Sequence, residues 1–149
     1  MSEGTPGSVP EAVTEELDEA ECLRLAAGQE VGRLAYNGRF GPAILPVNYR
    51  LFEGSVVFRT GAGSPMEEDL RTGIEDAEYR IAFEVDEFES DVREGWSVLI
   101  QGSVHHVSSP EERAAVAGAG VRSWAVGPKD AYLRIRPTRI TGRRLRHAG

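Results

Sequence analysis

VGRLAYNGRFGPAILPVNYRLFEGSVVFRTGAGSPMEED, residues 31–69, is the stretch on which the fold turns. Its apolar residues recur with period two across VGRLAYN (31–37), PAILPVNYRLF (42–52) and SVVFRT (55–60). Gly38-Arg39-Phe40-Gly41 and Glu53-Gly54 separate these runs, so they predict a meander of three strands joined by short turns. Pro46 lies inside the second strand and has no N–H to give a neighbour. Its presence marks an edge, a bulge, or a place where something other than a strand meets the backbone.

The third strand delivers Arg59 and Thr60 onto Gly61-Ala62-Gly63, and Ser64-Pro65-Met66-Glu67 then opens a helix over about 65–72 that ends at Gly73. Two readings compete here. Loop amides, the Arg59 guanidinium and the Thr60 and Ser64 hydroxyls together could cradle an anion. Alternatively, Glu67 simply closes a capping box on Ser64. Glu67, Glu68 and Asp69 weaken the first reading, because they would repel a phosphate.

Working outward, Thr14 is a candidate N-cap for a helix over 15–27, with Gly28 as its stop, and residues 1–13 form a disordered tail. Ala20, Leu23 and Ala27 give this helix its spacing, and Cys22 is assigned to packing. YRIAFEVDEF (79–88) alternates, with Tyr79, Ile81, Phe83 and Val85 facing a core. An acidic loop (86–95) leads to a long strand, GWSVLIQGSVHHV (95–107), with Gly102 as a bulge. Ser109-Pro110-Glu111-Glu112 caps a helix over 110–117. Two short strands split by Pro137 end the chain. Six or seven mostly antiparallel strands with three short helices predict a small β-barrel in one domain, residues 14–146.

Composition bounds the function. The chain has 149 residues, 40% of them hydrophobic, and a net charge of −7. No apolar run approaches the length of a membrane span. The acidic balance argues against nucleic acid as a partner. A single cysteine suits a reducing cytoplasm, and the acidic N-terminus lacks the pattern of a signal peptide. Lys129 is the sole lysine beside sixteen arginines, a bias that fits a GC-rich genome.

Other candidates each have a plain alternative. Trp96 and Trp124 could border a flat aromatic ligand or serve as core. Arg134 and Arg136 share one strand face, and Arg50, Arg59 and Arg134 could converge on an anion. His105 and His106 point to opposite faces of their strand, so they cannot share a metal, and no metal site is expected. No nucleophile motif or triad is present, which leaves the catalytic residues unknown.

Four segments together resemble the pyridoxamine 5′-phosphate oxidase-like flavin-binding proteins: CLRLAAGQEVGRLAY (22–36), ILPVNYRLFEGSVVFRTGAGS (44–64), GWSVLIQGSV (95–104) and WAVGPKDAYLRIRPTRITGRR (124–144). The resemblance implies a split barrel, a homodimer, and flavin mononucleotide (FMN) in clefts at the interface. Pro46, Val47, Asn48 and Tyr49 would lie along the flavin ring, and Arg59, Thr60 and Ser64 would meet its phosphate. Trp96 and Ser97 would approach the cleft, while Trp124 and Arg134 would come from the partner subunit.

Two departures matter. Relatives carry a lysine where this chain has Pro65, and the arginine–histidine pair of true pyridoxamine-phosphate oxidases is missing near the C-terminus. Vitamin B6 oxidation is therefore not expected. The resemblance implies an oxidoreductase using FMN or a deazaflavin coenzyme on a small molecule. The alternatives are a protein that binds or stores a planar cofactor, and a dimeric module without one.

Overall fold

The structure is a computed structural model that describes residues 12–61, 63–70, 79–125 and 127–147. The chain runs β1 (Ala12–Leu17), α1 (Glu19–Ala27), β2 (Val31–Gly38), β3 (Gly41–Phe52), β4 (Ser55–Thr60), α2 (Pro65–Asp69), β5 (Tyr79–Glu89), β6 (Glu94–His106), α3 (Pro110–Ala117) and β7 (Ala131–His147). The strands form one sheet in the order β1-β7-β4-β3-β2-β5-β6, and β6 also pairs with β7. That last pairing closes six strands into a barrel, with β1 added at its side. Every pairing is antiparallel.

The meander forms where the period of two predicts it. Glu53 and Gly54 both have positive φ, 50° and 74°, which is the backbone a two-residue hairpin turn requires. Alternation then sends one set of side chains inward. Leu34, Phe58, Phe83, Ile100, Leu133 and Ile135 are fully buried, and Tyr49 meets Phe83 edge-on at 4.9 Å. Each such side chain contributes about 1.5–3 kcal/mol by leaving water. Gly32 is a glycine because a Cβ there would lie 2.2 Å from the Phe83 ring. A second cluster (Val57, Val107, Val116 and Val121) packs α3 against the outer face of the barrel.

The barrel is split between β3 and β4. They pair only from Tyr49↔Phe58 to Phe52↔Ser55, while β3 stays on β2 from Gly41 to Asn48. Over residues 41–48 no strand among the described residues pairs with the other edge of β3. Pro46 sits on that edge.

Several expectations need correction. Residues 15–17 are not the start of a helix, and residues 12 and 13 are not part of a disordered tail: Ala12–Leu17 is an edge strand on β7, with Glu15 opposite Arg144 and Glu16 opposite Arg143. The helix begins after Asp18, whose side chain accepts the Glu21 N–H at 2.8 Å, so Thr14 is no cap. Its buried residues are Cys22 and Ala26, a face rotated from the Ala20–Ala27 line. Residues 1–11 of the expected tail, and Gly73, lie outside the described residues. The acidic loop is narrower than 86–95, since β5 and β6 pair as far as Glu89↔Glu94.

Pro137 does not split the last strand either. It lies opposite Gly102 while Arg139 lies opposite Gln101, so Thr138 is the extra residue of a bulge. The bulge falls at Gly102 as expected, but β7 carries the insertion. It accommodates a proline without breaking the strand. Gly102 permits the close approach: a Cβ there would lie 2.1 Å from the Arg136 carbonyl oxygen.

Candidate functional site

The split leaves a groove of about 610 Å³ between the β2–β3 hairpin and the loop that follows β4. Tyr36, Ala43, Leu45 and Met66 give it apolar walls, and Thr60, Ser64 and Pro65 form one end. Arg39 and Asp69 stand at its rim, bonded at 2.5 Å. Arg39 also reaches Glu68 at 3.4 Å. Two of the three acids expected to repel an anion are thus held by an arginine on the hairpin tip.

The third acid is turned inward. Glu67 is completely buried. Its Oε1 accepts the Gly63 N–H at 2.8 Å, and its Oε2 lies 2.6 Å from Nε2 of His106. The Ser64 hydroxyl lies 3.0 Å from that of Thr60 and accepts the Glu67 N–H at 3.3 Å. So the capping box forms only by half: Ser64 caps the Glu67 N–H, but the Ser64 N–H goes to the Gly61 carbonyl and Glu67 closes on Gly63 instead. The Gly63 amide, a donor that an anion at this loop could use, is given to a carboxyl group of the chain itself.

The other candidates go to several places. Val47 and Tyr49 point into the core, where the Tyr49 hydroxyl donates to the Ala26 carbonyl, and the Tyr49 N–H donates to the Glu30 carbonyl at 3.1 Å, away from the split. Burial pushes the Tyr49 hydroxyl pKa up. Asn48 is fixed between the Glu30 carbonyl and the Trp124 N–H, at 3.4 and 2.9 Å. The Trp124 side chain is 68% exposed. Trp96 is core, and with Ser97 it stands nine or ten residues along β6 from His106, about 30 Å of extended strand.

The arginines do not converge. Arg59 donates to the Lys129 carbonyl at 2.8 Å and stacks on Tyr132. Arg50 faces Glu30. Arg134 donates to Ser55 at 2.7 Å and to Glu112 at 3.1 Å. Arg59 and Arg134 share the outer face of the barrel because they alternate with inward Phe58 and Leu133. Thr60 and Ser64 reach the groove, and these two arginines do not.

The histidines part as expected. His105 pairs with Glu112 at 2.9 Å on the outer face. Burial alone would raise the Glu112 carboxyl, but hydrogen bonds from His105 and Arg134 hold it below the usual carboxylate range. His106 and Arg39 are the residues sequence reasoning missed. The only signals were a polar residue ending an inward strand face, and an arginine in a glycine turn.

A flavin fits this site at one end only. The ring end has a free strand edge beside an apolar groove. The phosphate end has its Gly63 amide taken by a buried carboxyl group, that of Glu67.

The family profile of pyridoxamine 5′-phosphate oxidase matches residues 18–144. An uncharacterized protein of Mycobacterium tuberculosis, Rv0080, is 33% identical over 147 residues, covering 97% of this chain and 95% of its own. The FAD-binding protein of Mycobacterium smegmatis superposes with a TM-score of 0.73 at 29% identity, covering 90% of this chain and 98% of that one. A FAD-binding protein of Mesorhizobium loti shares the fold at a TM-score of 0.71 and 20% identity, covering 91% of this chain and 98% of that one. With the split barrel, the open β3 edge and this match over residues 18–144, the chain belongs to the pyridoxamine 5′-phosphate oxidase family.

Proposed function

We propose that the protein is a flavin-binding oxidoreductase acting on a small molecule, with the flavin ring laid along the free edge of β3. The observation that carries this reading is the separation of β3 from β4 beyond Tyr49, which opens a strand edge onto an apolar groove. Backbone groups of that edge can meet the polar rim of a planar heterocycle while the groove walls exclude water. The FAD-binding relative at 29% identity supports a flavin. FMN, FAD and a deazaflavin coenzyme share the tricyclic ring skeleton and are the competing occupants.

The same reading makes the working unit a homodimer. Pro42, Ile44 and Pro46 lie on the outer face of β3, exposed to solvent, and Trp124 is tied beside them through Asn48. Trp96 and Ser97 lie far from this chain's own groove, so any part they take is in a second copy's cleft. A cofactor-free dimeric module is the second reading, and the Glu67–Gly63 bond favours it.

The visible absorption spectrum of the freshly purified protein, followed by titration of the colourless form with riboflavin, FMN, FAD and the deazaflavin coenzyme, tests the first reading. A flavin spectrum, or binding of any of them near a micromolar, about −8 kcal/mol, supports it. No colour and no binding at about a hundred micromolar leaves the cofactor-free module.

A further inference from the structure

Thr60, Gly63 and Ser64 hold hydroxyl and amide donors that an anion could use, and Glu67 already takes the Gly63 amide. This carboxylate is buried, accepts the Gly63 N–H through one oxygen and meets His106 through the other. The loop's two hydroxyls are bonded to each other, and one also receives the Glu67 N–H. Pro65 at the helix start adds neither charge nor N–H, and the Arg59 side chain is committed to the outer face.

We propose that Glu67 determines which flavin the groove accepts: one whose chain presents a free hydroxyl or a phosphate substituted on both sides at this loop, and not one that ends there in a phosphomonoester. The inference rests on the flavin reading above. A phosphomonoester brings a charge of about −1.5 to −2 and calls for amide donors. Here it would meet a carboxylate in a poorly screened position, with the nearest amide already bonded. Displacing Glu67 would strip a buried polar group of its partners, which is costly. In FAD the phosphate next to the flavin chain is substituted on both sides, so it carries one charge, and the second phosphate can leave the loop along the second chain. A free hydroxyl carries none.

Calorimetric titration of the full chain with riboflavin, FAD and FMN, in the wild type and in Glu67→Gln, tests this. The glutamine keeps an oxygen for the Gly63 N–H and removes the charge. Wild type is expected to bind riboflavin and FAD at least about tenfold more tightly than FMN. Glu67→Gln is expected to tighten FMN by about tenfold or more while riboflavin stays within about threefold. FMN bound by the wild type as tightly as riboflavin overturns the proposal and leaves the flavin reading standing. FMN affinity unmoved in a folded Glu67→Gln overturns it too. If no flavin binds either protein, both fall together. The wild-type ranking needs no variant, so a variant that fails to fold does not spare the proposal.

Discussion

Glu84 shows what one side chain can do to the pH response of this barrel. It stands on the outer face of β5, with Arg33 at 3.6 Å and Asp86 two residues on. Burial first, then the hydrogen bond and charge of Asp86, push its pKa up to about 7 from 4.5, against the pull of Arg33. A raised carboxyl means the folded chain holds a proton that the unfolded chain has released. The stability this gives is complete below about pH 4.5 and lost as pH rises through about 7. Glu84→Gln removes the titration. Its stability relative to wild type should therefore rise between these limits by about 1 kcal/mol, discounted for solvent screening because the side chain is one-third exposed. Urea unfolding across the range reads it, and a constant difference between the two proteins would rule the titration out.

At the scale of elements, the groove depends on how α2 is held. The helix has only five residues, too few to persist alone. Glu67 ties it inward to His106, and Glu68 and Asp69 tie it to the β2–β3 hairpin through Arg39. Arg39 is about half exposed, so its loss should cost less than about 1 kcal/mol of global stability. The local effect should be larger. Amide exchange over residues 63–70 is expected to speed up severalfold in Arg39→Ala while the β5–β6 hairpin stays protected. Equal exchange in the two proteins would mean that His106 alone fastens the helix.

At the scale of the molecule, the outer face of β3 carries apolar side chains that a monomer leaves wet. Ile44 and Trp124 are each 68% exposed, and Phe40 at the hairpin tip is 96% exposed. A patch of this kind marks an association surface. The homodimer proposed above should appear in sedimentation equilibrium at micromolar concentration. Ile44→Glu places a charge in each copy at the same contact and should give a monomer that melts as a folded protein. A wild type that sediments as a monomer would sink the dimer and, with it, any role for Trp96 and Ser97 in a neighbouring cleft.

The sequence by itself determined the elements whose signals are local. β2 to β6 follow an alternation that extends over a few residues, and α3 spans 110–117 as its capping box implies. The resemblance carried over four segments identified the split barrel. What only the tertiary structure decided depends on partners far along the chain. β1 reads as the acidic start of a helix until the basic strand at 142–147 lies beside it. Pro137 reads as a break until Gly102 and a bulge accommodate it. The phosphate-loop pattern at 59–64 was legible, and so was the conflict with its acids. That Glu67 turns inward to His106, 39 residues away, was not. Arg59 and Arg134 were read as anion contacts, yet the alternation of β4 and β7 turns them to the outer face. Backbone period is written in neighbouring residues, whereas a charge finds its partner only once the strands have closed.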